Sequence, residues 1–374
     1  MTWTLGSYIA RRFLTTTLLS FLAVLALVVI IDLIERMGEN SEGRASFADL
    51  IGMALLHAPS ITLIAAPFTV LLAAMACFAQ LARSSELVVT RAAGVSVWQL
   101  LAPAVLSAAL LGAIAFAVYN PIAATLAERF NALEERYFGR SSSSLSVSAD
   151  GLWLRQGGTA TQTVIRARRA SSSVDRLWGV TVFRFTVDNH LLERIEARRA
   201  VLEQGAWRLN AVRQWQFDAN PGADPDSGAA ETVPRERDVI HLPTDLTPER
   251  IVESFAPPQT ISFWELPSFI ALLEQSGFSS DRHRLHWHRL LSYPVVFCAM
   301  VLIGAAFSMR PLRFGGLGVM ALGCVMAGFG YFFLSDLSSA LGATGAIPVI
   351  IAAWAPPIAA VLFALALLLQ VEDG

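Results

Sequence analysis

The sequence predicts an α-helical membrane protein with six transmembrane helices, arranged 3+3 around an inserted antiparallel β domain. Three observations lead there. The 374 residues are 54% hydrophobic and only 16% charged, with a mean hydropathy of +0.52. Average globular domains are roughly 45–50% apolar and about 25% charged. Six stretches reach the length of about 20 mostly apolar residues that a bilayer crossing needs. The polar middle of the chain alternates apolar and polar residues at period two instead. This composition excludes a nucleic-acid-binding tail, a disordered scaffold and an ordinary soluble enzyme. All 28 basic residues are arginine. The chain therefore has neither a P-loop lysine nor a Schiff-base lysine, and cannot be a P-loop ATPase by itself.

The first span runs from about Phe13 to Ile31, behind Arg11 and Arg12. No small-residue cleavage site follows it, and the chain continues into Asp32-Leu33-Ile34-Glu35, so it reads as an uncleaved anchor. The second covers about Leu50 to Leu81 and contains Pro59 and Pro67, which predict a kink or tilt. The third covers about Val97 to Val118. After the polar segment come about Leu290 to Met309, Leu317 to Ser335 and Ile347 to Gln370. Cys77, Cys298 and Cys324 all lie in apolar runs, so neither a disulfide framework nor a zinc site is readable.

Orientation follows from arginines near the span ends. With both termini inside, the short inner segments carry Arg11, Arg12, Arg83, Arg91, Arg310 and Arg313. The short outer segments carry Arg36 and Arg44, diluted by Asp32, Glu35, Glu39, Glu42 and Asp49, and later Asp336. The expected arrangement is thus three spans in 1–119, an outside (periplasmic) domain with flanking helices in 120–285, and three spans in 286–374.

In the outside segment, Trp207, Leu209, Ala211, Trp215 and Phe217 alternate mostly with polar residues, as on a half-buried strand. Gln204-Gly205 predicts a hairpin turn after Val201-Leu202. Gly151 to Leu154, Thr163 to Ala167, Val180 to Phe185 and Val239 to Leu242 are further candidate strands. Short strands with turn signals predict a small antiparallel sandwich or barrel. Asn220 to Thr232 reads as a loop. Ser262 to Gln275 returns to helical spacing and ends at Gly277.

Three constellations stand out. The inner connection Arg83 to Gly94 holds a short helix that Ser84 or Ser85 can cap, with Glu86 in its first turn and Gly94 as terminator. It suits a docking element for a partner's groove; the plain alternative is an ordinary capped connection. After span three, Leu126, Phe130, Leu133 and Tyr137 form one apolar helical stripe, flanked by Arg129, Arg136 and Arg140. Such a surface suits an amphiphile carrying phosphates, because guanidinium binds phosphate through paired hydrogen bonds. The plain alternative is snorkelling or pairing with nearby glutamates. Third, His283, His286 and His288 lie among arginines and Trp287. Their pattern lacks the remaining ligands of a metal site and reads as an interfacial basic and aromatic belt. His57 is the exceptional ionisable residue within the spans, which disfavours a proton-coupled transporter. No catalytic triad, paired-carboxylate or phosphate-loop motif is present, so no enzyme is expected.

Ser85-Glu86-Leu87, with Arg91-Ala92-Ala93-Gly94 behind it, resembles the coupling region of the lipopolysaccharide export permeases LptF and LptG, the YjgP/YjgQ family. Leu272-Leu273 through Gly277, His288 and Pro294 are also similar. So are Gly330-Tyr331, Gly345, Ile347-Pro348 and Trp354-Ala355-Pro356. The 3+3 spans around one outside domain match along essentially the whole chain. The wording around Ser85 to Val89 and Gly151-Leu152-Trp153 sits nearer the LptG branch, with LptF or another glycolipid permease as the alternative.

The resemblance implies a β-jellyroll for the outside domain and a role as the permease subunit of an ABC transporter. That transporter extracts lipopolysaccharide from the outer leaflet of the inner membrane and passes it to a periplasmic bridge. Implied partners are an LptF-like paralogue, two copies of an LptB-like ATPase, an LptC-like single-span protein and an LptA-like bridge. No cofactor is expected on this chain, because the ATPase subunit uses the ATP. Glu86, with Ser85, Leu87 and Arg91, would couple to the ATPase. Lipopolysaccharide would enter between spans one and five. The family often has basic residues at the outer end of span one, whereas this chain has Asp32, Glu35 and Arg36 there. Expected substrate contacts are therefore Arg129, Arg136, Arg140 and Phe130, with Arg36 beside them. A reading of another class is a membrane-anchored periplasmic adaptor without transport activity, which would not co-purify with an ATPase.

Overall fold

The computed structural model describes residues 2–40, 44–84, 86–138, 145–148, 151–157, 161–171, 176–186, 190–203, 205–217, 234–244, 257–275, 279–309 and 317–372. They fall into two compact units. One is helical and comprises Met1–Phe138, Gln259–Leu266 and Asp281–Gly374. The other holds the strands and comprises Gly139–Pro258 and Pro267–Ser280.

The helical unit contains α1 (Thr2–Glu39), α2 (Phe47–Arg83), α3 (Glu86–Ala92), α4 (Val97–Ile114) and α5 (Asn120–Phe138). After the β segment come α6 (Leu266–Gln275), which bridges the two groupings in sequence, and α7 (Asp281–Ser308), α8 (Leu317–Ala343) and α9 (Val349–Glu372). Among the described residues, six stretches are long and apolar enough to cross a membrane: Thr4–Glu39, Phe47–Arg83, Val97–Phe138, Asp281–Ser308, Ala321–Ala343 and Val349–Gln370. Most extend past the apolar windows read from sequence, because backbone hydrogen bonding continues where side chains turn polar. The third gains most. A π-helical turn over Ala115–Tyr119 joins α4 to α5, so the amphipathic stripe continues that span's own helix. The turn's Ala117 carbonyl accepts from the Trp264 indole nitrogen at 3.0 Å.

Capping sets the starts. Ser46 with Asp49 and Ser96 with Gln99 form capping boxes that open α2 and α4. Lipid gives no hydrophobic drive between helices, so close backbone approach decides their packing. A Cβ at Gly112 of α4 would lie 2.5 Å from Pro294 Cα of α7. α7 packs from its other side onto α2, where Ser308 Oγ donates to the Met75 carbonyl at 3.1 Å. Val301, Ile303, Ala305 and Ala306 of α7 are buried. By contrast, only 11% of the most apolar stretch is buried in the first and in the fifth span.

The β unit contains β1 (Leu145–Ser148), β2 (Gly151–Gly157), β3 (Thr161–Ala170), β4 (Arg176–Thr186), β5 (Leu191–Glu203), β6 (Ala206–Gln216) and β7 (Arg235–Pro243). These seven described strands form one antiparallel sheet in chain order, each paired with its sequence neighbour. The core lies on one face. Leu154, Ile165, Val182 and Ile195 are cross-strand partners, as are Leu202 with Trp207 and Trp207 with Leu242. Leu273 of α6 is buried against that face, with Phe269 half-buried beside it. The predicted hairpin stands: Glu203 pairs with Ala206 around Gly205 at φ +77°. Asn220 to Thr232 and Gly277 lie outside the described residues.

A crease runs across five strands. Pairing skips Arg168, Gly179, Arg198, Ala211 and Asp238, which stand in one row from β3 to β7 with no change of register. Gly179 has φ +62° and Ala211 φ +53°. At this row the buried side changes parity: Leu177 and Val180, Ala197 and Ala200, and Leu209 and Val212 are each three apart and buried. This corrects one sequence expectation. Ala211 is exposed and Val212 is buried at 2% exposure, because the left-handed residue reverses the pleat. The sheet thereby turns while keeping its apolar face inward.

Candidate functional site

Two clusters of charged side chains tie α1 to its neighbours, one near each end. The first is built on α3, a seven-residue helix that starts at Glu86, two residues after Ser84. Gly94, at φ +81°, ends it, with Ala93 N donating to Val89 O and Val95 N to Thr90 O. Glu86 Oε1 accepts from Ser84 Oγ at 2.7 Å and from Arg12 Nη1 of α1 at 3.1 Å. The Arg12 guanidinium also donates to the Tyr8 hydroxyl. The Ser84 hydroxyl, with Tyr8 and Arg12 behind it, holds the Glu86 carboxyl below the usual carboxylate range. Glu86 is therefore an anion at neutral pH and keeps the link to Arg12 there. Ser85 lies outside the described residues, and so do the side chains of Leu87 and Arg91, which both belong to α3.

The second cluster joins α1, α2 and α5. Arg36 Nε donates to Asp32 Oδ2 at 2.7 Å and Nη2 to Oδ1 at 3.1 Å, a bidentate pair one helical turn apart. His57 Nδ1 of α2 stands 2.8 Å from Asp32 Oδ1. The same nitrogen lies 3.2 Å from Arg36 Nη2, so the ring's tautomer sets whether it donates to Asp32 or accepts from Arg36. The His57 ring stacks on Phe130 of α5, with centroids 4.4 Å apart and planes 11° apart. The Arg36 guanidinium lies over the same Phe130 ring, 4.2 Å from its centroid. Glu134 Oε1 lies 4.0 Å from Arg36 Nη1. Asp32, Arg36 and Phe130 are each at most 5% exposed.

Of the residues expected to contact substrate, the structure brings Arg36 and Phe130 together inside this cluster. Arg129 and Arg136 are exposed on the other side of α5; Arg136 lies 5.9 Å from the centroid of the Tyr137 ring. Arg140 lies outside the described residues. Sequence reasoning missed the tie between Asp32 and Arg36 and took the aspartate as diluting the arginine's charge. Their four-residue spacing on a helix was the available signal. Nothing in the sequence paired His57 with them. Among the described residues, no group of three or more His, Cys, Asp or Glu could hold a metal ion.

The family model described as "Lipopolysaccharide export system permease LptF/LptG" matches residues 7–370. The chain is 25% identical over 375 residues to the lipopolysaccharide export system permease protein LptG of Escherichia coli strain K12, covering 98% of each chain. It is 22% identical over 361 residues to the protein of the same name from Haemophilus influenzae strain Rd, covering 94% of each.

Proposed function

Because this chain belongs to the lipopolysaccharide export system permease family LptF/LptG, we propose that it acts as the LptG-like subunit of an ABC transporter that extracts lipopolysaccharide. Members of the family are multi-pass inner-membrane permease components, not themselves catalytic. In this reading both termini face the cytoplasm and the β unit faces the periplasm. A separate LptB-like ATPase dimer docks at α3. An LptF-like paralogue completes the membrane pathway, an LptC-like single-span protein associates, and the β unit hands the lipid to an LptA-like bridge.

The observation that carries the reading is the double tie of α1. At one end Arg12 binds Glu86 of the short helix that would meet the ATPase. At the other, Asp32 and Arg36 bind α2 and α5 beside the exposed arginines. Between the ties α1 exposes Leu18, Leu19, Leu22 and Leu27. The fifth span is as open as the first, which suits a pair of spans that face a partner and an acylated substrate. A push on α3 then travels along a continuous helix to the lipid entrance. Arg129 and Arg136, with Arg140, meet the phosphates, while Arg36 and Phe130 brace the wall behind them.

Replacing Glu86 with Arg is expected to uncouple ATP hydrolysis from lipid release in proteoliposomes containing the full complex, with the fold intact. Recovery of coupling by Arg12→Glu in the same chain would assign the effect to the tie. Unchanged release in Glu86→Arg would sink the coupling role. The substrate role has its own test. Arg129→Gln with Arg136→Gln should lower photo-crosslinking of lipopolysaccharide to α5 about tenfold, the loss of one or two charge-assisted hydrogen bonds. Equal crosslinking yields would defeat it.

A further inference from the structure

The crease in the sheet opens a polar cleft of about 750 Å³ on the side opposite the apolar core. Its floor is the row of unpaired crease positions, and four arginines, Arg168, Arg198, Arg213 and Arg237, line it. Their charges are unequally committed. Arg213 binds Glu236 at 3.2 Å, and Glu196 is bound by Arg194. Among the described residues no carboxylate pairs with Arg168, Arg198 or Arg237, and Asp238 is the remaining anion in the lining. The lining as a whole holds four guanidinium groups against the three carboxylates Glu196, Glu236 and Asp238, and Arg168 and Arg198 are its uncommitted cations on the face opposite the core.

The backbone is shaped to make this site. Gly179 has φ +62°, and a Cβ there would lie 3.0 Å from Arg168 Cδ and 3.2 Å from its Cγ. The Arg168 stem is therefore laid across β4 at the one residue that leaves room for it. Two strands over, Ala211 adopts φ +53°, a left-handed conformation that a Cβ disfavours. Such strain persists where the surrounding structure imposes it, and it clusters at ligand sites.

We propose that this cleft is a binding site for phosphate-bearing anions, with Arg168 and Arg198 as its ligands. Guanidinium matches phosphate oxygens through paired hydrogen bonds, and Thr181 adds a hydroxyl to the lining. The site lies on the exposed face of the sheet and needs no transport to be occupied, so it stands or falls independently of the permease reading.

The test uses the full chain in nanodiscs of zwitterionic lipid. Pyrophosphate titrated calorimetrically should bind saturably and weaken as salt is raised. Arg168→Gln with Arg198→Gln should weaken binding about tenfold, as expected for lost charge-assisted hydrogen bonds. Arg176→Gln with Arg208→Gln removes the same charge outside the cleft and should leave binding unchanged. Asp238→Asn should tighten binding, a gain that misfolding cannot produce. A second arm mixes the nanodiscs with vesicles of phosphatidylcholine and phosphatidic acid in equal parts. Flotation that depends on Arg168 and Arg198 identifies a lipid headgroup as the source. Pyrophosphate binding without flotation identifies a soluble phosphate. Equal affinities in the two double variants, or no saturation with either probe, would overturn the site.

Discussion

Arg36 lies within a helix long enough to cross a membrane, and almost none of it reaches solvent. Its charge is met on three sides: the Asp32 carboxylate along its own helix, the Phe130 ring face, and Glu134 at longer range. Asp32 in turn needs both Arg36 and His57, because a buried carboxylate stripped of its cation loses more than the pair itself contributes. Arg36→Gln is therefore expected to cost about 3 kcal/mol, read as a lowered unfolding midpoint in detergent. Adding Asp32→Asn to it should restore part of the loss, since no unpaired charge then remains. A double variant no more stable than Arg36→Gln alone would argue against the network. Half of this was readable in the chain. The four-residue step from Asp32 to Arg36 is local, whereas His57 and Phe130 arrive through tertiary packing that no spacing encodes.

At the scale of elements, close backbone approach holds α4 against α7. Gly112 is the sharpest case, because the Pro294 backbone occupies the place of a side chain. Gly112→Ala should force α4 from α7 and destabilise the chain by about 2 kcal/mol, the usual cost of overpacking. An unchanged unfolding midpoint would show that the helices can separate freely. The strands show where local signals run out. β3 and β4 follow their β-branched and aromatic runs. β5 begins Leu-Leu-Glu-Arg-Ile-Glu-Ala-Arg-Arg-Ala, a run of helix-forming residues. It is a strand because Ile195, Ala197 and Ala200 complete the sheet's apolar face. The parity change at Ala211 was equally hidden, since alanine gives no sign of a left-handed backbone.

At the scale of the molecule, the 3+3 order follows from six apolar runs and one polar interval, because lipid demands long apolar helices and tolerates few substitutes. The strand order was not readable, since period two assigns a face but names no neighbour. The charged ties of α1 have a geometric consequence of their own. The 38 residues of this helix span about 57 Å, and Arg12 and Arg36 must each face a particular neighbour. The helix therefore has a phase as well as a length. One alanine inserted between Ala23 and Val24 would turn one end by about 100° against the other. Only one of the two ties could then form, with composition and hydropathy nearly unchanged. A seven-residue insertion makes about two full turns and restores the facing while adding about 10 Å. If α1 works as a phased shaft, the single insertion should abolish ATP-driven release and the longer one should recover part of it. Full release with the single insertion would mean that its ends act independently.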